Sequence, residues 1–325
     1  MLVGMPLSIS LRDDIMTFRV RSPPDYDLTA SVHAWIYSDI HPVPELTREG
    51  LLARRIPVAG EDVAVAIRQT GQGGDITVEH TPTRQSTKEM TKAIVRILGL
   101  SEDFSCAVKS IKRDPRIRGV ASGVNRILPY QSPTVFEALI KTVIQQQVSY
   151  RAANVLTQRL VTHLEEPVHL SGLQVYGFPP AEKIAALGLD QLRFLGLGFK
   201  AEYVHSISTM VSEGNLDTEA LRSMEFGEVE GTLRPIRGIG DWTIETLCIA
   251  GLSNFDVFPH GDLGIQNLLG RLYNKGLRMT AREVESLARK WDDGSRVLYL
   301  LMCADVLGLF PAEGRLKTIK RPLRK

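Results

Sequence analysis

Cysteine is scarce in this chain of 325 residues: Cys106, Cys248 and Cys303 lie far apart, and no CxxC pair occurs. That excludes the ligand spacing of a structural zinc or iron–sulfur site. Cys248 and Cys303 fall in apolar helical patterns and read as small core residues. No apolar run reaches the roughly 18 residues needed to span a membrane. The opening stretch MLVGMPLSISLRDD has no basic start and meets Asp13 and Asp14 early, which makes it a poor signal peptide. Fixed-period repeats and low-complexity segments are also missing, so a solenoid is excluded. Net charge is only +2. Six basic residues and no acid stand in the last twelve, GRLKTIKRPLRK, which leaves −4 for the other 313. This tail reads as a solvated terminus or as a phosphate contact.

What is present is ordinary in bulk and informative in order. Apolar content is 43% and charged content 23%, typical of a globular protein, and the length suits two or three domains. Residues 1–86 carry β-type stretches (LSISL, MTFRVRS, SVHAWIYS, EDVAVAIRQT, DITVEH) separated by turn-prone SPPDYD and GQGGD. They predict an antiparallel sheet with one or two helices. From residue 87 the pattern is helical to about 310, so the fold class is α+β.

Three junctions between helices stand out. Phe136, Leu139, Ile140, Val143 and Ile144 define one apolar helical face, and Ala152, Val155, Leu156 and Leu160 define the next, with Ser149 as its N-cap. Between them Gln145, Gln146 and Gln147 predict a short exposed turn. The stretch LRFLGLGFKAEYVHSIS places Gly196 and Gly198 before a helix carrying Lys200 and Tyr203. In RGIGDWTIETLCIAG, Gly238 and Gly240 predict a tight hairpin between a helix ending near Leu233 and Ile236 and one opening at Trp242. Such glycines bare the main chain, and the amides opening the second helix favour an anion such as phosphate. Ile239 is expected to plug the core, with Ile244, Leu247 and Cys248 facing inward. An ordinary tight turn is the plainer reading of GIG alone.

The hairpin is followed by NFDVFPHGDLGIQNLLGR, where Asp262 stands 22 residues past Gly240, at the start of another helix. Leu233, Ile236, Gly238, Ile239, Gly240, Trp242 and Thr243, then Phe258, Pro259, Asp262, Leu263 and Gly264, together resemble the helix–hairpin–helix superfamily of DNA base-excision glycosylases. The branch they resemble is the 3-methyladenine DNA glycosylase II family. The resemblance runs from about residue 95 onward, through SPTVFEALIKTVIQQQVSYRAANVL and LGLGFKAEYVHSIS. It implies an N-terminal antiparallel domain (1–86) and a helical glycosylase domain (87–313). Within the latter, 133–252 carries the hairpin 236–242, while 87–132 and 253–313 form a second lobe; 314–325 is the basic tail.

The same resemblance implies a site. Asp262 matches the family's essential aspartate; a fixed carboxylate stabilises the oxocarbenium-like sugar and can orient or deprotonate water. Read from its residues alone, Asp262 is equally an N-cap, and the two roles are compatible. Trp242 stands where bifunctional members carry a Schiff-base lysine, so hydrolysis without strand cleavage is expected. Trp242 is expected to stack on the extruded base, or else to lie buried in the core. Leu263 and Thr246 occupy base-pocket positions where relatives often carry aromatics. Gln147, with Gln146, matches the wedge that fills the vacated stack. Gly238, Ile239, Gly240 and Thr243 match the phosphate-binding hairpin. Carbonyls near Gly238 and Gly240 are a possible monovalent-cation site; no metal is expected on side chains, and no cofactor. His260 is read as a loop residue rather than a DNA contact, and Asp292 and Asp293 as a solvated turn. The expected partner is damaged duplex DNA; the alternatives are a non-catalytic helix–hairpin–helix DNA-binding protein, or the same fold acting on an oxidised or deaminated base. A monomer in the cytoplasm or nucleus, with neither a membrane nor a nucleotide cofactor, is expected.

Overall fold

The computed structural model describes residues 15–310. The expected strand LSISL and the basic tail 314–325 lie outside the described residues. The chain begins with β1 (Met16–Val20), α1 (Leu28–His33), β2 (Leu46–Arg48), β3 (Leu51–Val58), β4 (Glu61–Gln69) and β5 (Ile76–His80). The five strands form one antiparallel sheet in the order β1-β5-β4-β3-β2. SVHAWIYS departs from its β reading. Asp27 caps α1 by accepting from the Ala30 amide, and Leu28, Ala30, Ser31 and Val32 are buried, so its first residues are helical.

Strand β3 was hidden by Arg54, Arg55 and Pro57, which interrupt an apolar alternation. Arg54 is in fact 1% exposed. Its guanidinium meets Glu45 and Glu137, each at 2.6 Å, and Tyr130 Oη at 3.1 Å. Lys141 Nζ closes the network on Glu137 at 2.6 Å and Glu45 at 2.9 Å. Two cations and two carboxylates thus satisfy one another where a lone buried charge would be very costly.

The helical part runs α2 (Thr87–Ile97), α3 (Ser105–Arg113), α4 (Ala121–Val124), α5 (Val135–Gln145) and α6 (Tyr150–Leu164). It is interrupted by a hairpin, β6 (Val168–Leu170) and β7 (Leu173–Val175), which turns at Ser171 and Gly172, both with positive φ. This hairpin, absent from the sequence reading, packs its Leu170 and Val175 on Leu51, Ala53, Ala64 and Ala66 of the sheet's outer face. Then follow α7 (Ala181–Ala185), α8 (Leu189–Leu192), α9 (Lys200–Ser212), α10 (Phe226–Leu233), α11 (Asp241–Gly251), α12 (Leu263–Tyr273), α13 (Ala281–Ala288) and α14 (Gly294–Val306).

Two main hydrophobic cores result. One is built from residues 135–248 and includes Ile239, Ile244, Leu247 and Cys248. The other joins the inner face of the sheet to residues 90–130 and 249–304. The sheet and the second helical lobe therefore share one apolar interior. Among the described residues, no helix is long and apolar enough to cross a membrane.

Candidate active site

The hairpin between α10 and α11 uses its two glycines differently. Gly238 has φ +91°, and a Cβ there would sit 2.4 Å from the Tyr203 ring on α9. Conformation and packing both demand glycine. Gly240 has φ −113° and open space where a Cβ would go, so nothing inside the protein requires it. Gly240 is also the N-cap of α11, and no side chain caps that end. Ile239 between them is buried in the 135–248 core and fixes the turn.

Asp262 is the N-cap of α12. Its Oδ1 accepts from the amides of Gly264 (2.8 Å) and Ile265 (3.1 Å). Its Oδ2 accepts from the indole Nε1 of Trp242 at 2.9 Å. The loop before it is held by buried Phe258 and by the Asp262 amide, which donates to the Pro259 carbonyl at 2.8 Å. One oxygen of this carboxylate caps α12 and the other meets the indole of α11, so its orientation is set from two helices.

Asp262 and Trp242 open on a cleft of about 1020 Å³, which Leu263, Gln147, Gln146, Gly238, Gly240 and Thr243 also line. This is at the upper end of the range of roughly 300–1,000 Å³ for small-molecule sites. Leu263 is 58% exposed. The glutamine turn lies where expected, before α6, except that Gln145 still belongs to α5 and the chain turns over 146–148, with Ser149 accepting from the Ala152 amide. Thr246 departs from expectation: it shares a helical face with Trp242, yet its short side chain is buried and lies outside the cleft lining. The carbonyls of Gly238 and Gly240 already accept protein hydrogen bonds, from Gln146 Nε2 and from the Thr243 and Ile244 amides. Each carbonyl has two acceptor lone pairs, and that of Gly238 accepts one of these bonds. Among the described residues, no three His, Cys, Asp or Glu side chains gather as a metal site.

His260 packs on Phe258 outside the cleft lining, and burial lowers its pKa. Asp292 pairs with Arg113 at the surface, while Asp293 caps α14. Cys248 and Cys303 are buried, and burial pushes each thiol up to about 12; Cys303 nevertheless touches the cleft.

Sequence reasoning missed the opposite wall. Trp35, just after α1, lines the cleft together with Tyr150 of α6. Its Nε1 donates to Tyr299 Oη at 2.8 Å, its ring stacks on Tyr299 at 5.6 Å, and Tyr150 meets it edge-on at 6.0 Å. Both tryptophans of the cleft therefore have their N–H committed to the protein. Phe199, half exposed in front of α9, lines the cleft as well. No sequence pattern joins residue 35 to residue 299; only the shared core does.

Residues 140–292 match the HhH-GPD superfamily base excision DNA repair proteins, and the chain carries a domain of that superfamily. Its relatives narrow the class. A DNA-3-methyladenine glycosylase of Bacillus subtilis is 28% identical over 207 residues, covering 63% of this chain and 68% of the relative. A solved 3-methyladenine DNA glycosylase from Archaeoglobus fulgidus superposes with a TM-score of 0.79 at 26% identity, over 89% of this chain and 98% of the other. A Schizosaccharomyces pombe 3-methyladenine DNA glycosylase in complex with abasic DNA superposes with a TM-score of 0.53 at 25% identity, over 63% and 98% respectively.

Proposed function

We propose that this protein is a monofunctional, monomeric DNA glycosylase that releases alkylated purines of the 3-methyladenine type from duplex DNA. The observation that carries the reading is Asp262: a carboxylate held by three donors on the wall of a cleft with aromatic sides.

The chemistry follows from that placement. A purine alkylated on a ring nitrogen is cationic. When its C1′–N bond breaks, the bonding pair returns to the base and cancels that charge, so no general acid is required. Positive charge then develops on the sugar, and an ionised carboxylate fixed beside it lowers the barrier without having to reorganise. Water adds to C1′ and gives up a proton, with Asp262 placed to orient it. The products are a free base and an abasic site.

Further features support the reading. Electron-rich faces of Trp35, Trp242 and Tyr150 suit an electron-poor base. No lysine lines the cleft among the described residues, and Lys200 Nζ is turned inward to the Ile144 carbonyl. A Schiff base, and with it strand cleavage, has no amine to begin from among these lining residues. Gln147 stands exposed at the cleft edge, suited to fill the gap left by a flipped base.

The test is release of 3-methyladenine from methylated duplex DNA. Asp262→Asn keeps a capping oxygen but removes the charge. Release should fall by about a hundredfold or more, the scale of losing one preorganised electrostatic group. Full activity in D262N would refute the assignment.

A further inference from the structure

The turn that carries Gln147 is strained and tied at two points. Gln147 has φ +55°, a left-handed conformation that is unfavourable for a non-glycine residue and persists only where the surroundings impose it. Two side chains tie down the residues before it. On one side, Lys200 of α9, almost fully buried, donates to the Ile144 carbonyl at 2.5 Å and so caps the end of α5. On the other, Gln146 Nε2 donates to the Gly238 carbonyl at 2.7 Å and to Thr243 Oγ1 at 3.0 Å. A carbonyl can only accept, which fixes the orientation of the Gln146 amide. The hairpin in turn packs Gly238 on the Tyr203 ring of α9. Turn, hairpin and α9 form a closed triangle of contacts around one edge of the cleft.

We propose that Gln146 is a positioning residue that couples the hairpin to the wedge, so that anchoring a phosphate at Gly238–Thr243 and inserting Gln147 become a single event. The proposal rests on the glycosylase reading above. Gln146 itself is only partly exposed and spends its amide on the hairpin, so it does not enter the DNA. What it supplies is stiffness: a wedge hinged at residue 146 would yield to the base stack, whereas one bonded to the phosphate anchor transmits the anchor's grip.

Gln146→Met keeps the length of the side chain and removes both hydrogen bonds. Single-turnover release is measured on two duplexes carrying one methylated purine that the wild type releases. In one the lesion is paired; in the other it faces an abasic gap, where little wedging is needed. Q146M should slow release from the paired duplex about tenfold, the scale of one or two net hydrogen bonds. It should stay within about twofold of the wild type on the gapped duplex, where a lesion already unpaired costs least to extrude. Because Gln146 acts through Gln147, adding Q146M to Gln147→Ala should cost nothing further. Equal slowing on both duplexes, or a full additive loss on Q147A, overturns the proposal. Gln146→Leu, a smaller apolar side chain that removes the same two bonds, should give the same pattern, and keeps the test sound if Q146M fails to fold. A wild type that releases no base from any methylated duplex would instead overturn the glycosylase reading, and this one with it.

Discussion

The hydrogen bond from Trp242 to Asp262 makes a sharp prediction, because Trp242→Phe keeps an aromatic face in the cleft and deletes only the donor. In the wild type, Asp262 Oδ2 has that one protein partner, while Oδ1 has two amides of α12. Without Trp242 Nε1 the carboxylate stays in place as a cap but is held through Oδ1 alone, and Oδ2 loses its protein partner. A hydrogen bond to a charged acceptor contributes about 1.5–3 kcal/mol. At about 1.4 kcal/mol per factor of ten, W242F should release base roughly ten- to a hundredfold more slowly at saturating enzyme. DNA affinity should change by less than about threefold, since Gly238, Ile239, Gly240, Thr243 and the wedge are untouched. The assay is single-turnover base release across enzyme concentrations, which separates the maximal rate from binding. If W242F keeps its maximal rate and loses affinity, Trp242 serves the substrate by stacking and not the carboxylate by orientation. That result would refute the orienting role of the indole N–H.

Other perturbations probe the frame around the site. Gly238→Ala meets both a positive φ and the Tyr203 ring, so its melting temperature should fall clearly; Gly240→Val should leave the melt unchanged and weaken DNA binding, as read by titration. Arg54→Met strips the cation from Glu45 and Glu137 and should cost about 3–5 kcal/mol in a denaturant melt. In the wild type, burial raises the Glu137 carboxyl, but Arg54 and Lys141 outweigh it and hold it below its ordinary 4.5. Its contribution to stability is present above that value and lost as pH falls through the depressed one, so the acid loss should be shallower in R54M. Glu245 runs the other way: burial, then Asp241 and Glu230, push it up to about 7. Folding favours its protonated form, and that stabilisation is lost as pH rises from its ordinary 4.5 through 7. Glu245→Gln should therefore match the wild type at pH 4 and exceed it at pH 8, by about 1 kcal/mol after solvent screening.

Much of the site was legible because its parts are local in sequence. An aspartate ahead of an apolar helical face reads as a cap, and Asp262 caps α12. Two glycines one residue apart, with an apolar residue between them, read as a hairpin, and Ile239 is buried as that reading requires. The glutamine turn was visible because two well-patterned helices flank it. What escaped depends on partners distant in sequence. Arg54 looks like a surface residue until Glu45, just ahead of β2, and Glu137, from another lobe, are brought to it. The stretch around Trp35 has β-like content, but the Asp27 cap and burial of one helical face prevail there. Trp242 was expected to offer its ring to a ligand; that its N–H also pairs with Asp262 was not legible, because only the packing of α11 beside the α12 cap creates that pairing. The β6–β7 hairpin carried a local signal, Ser171-Gly172 between short β-type runs, that a helical reading of the region overrode.

The aromatic wall at Trp35 and the carboxylate at Asp262 belong to segments that meet only in the folded chain, the first fastened by Tyr299 and the second by the start of α12. Substitution on the wall reshapes the cleft while leaving that helix start undisturbed. Under the function proposed above, lineages descending from such a protein are free to drift in the lesions they accept, one exchange at a time, while the bond-breaking step is inherited intact.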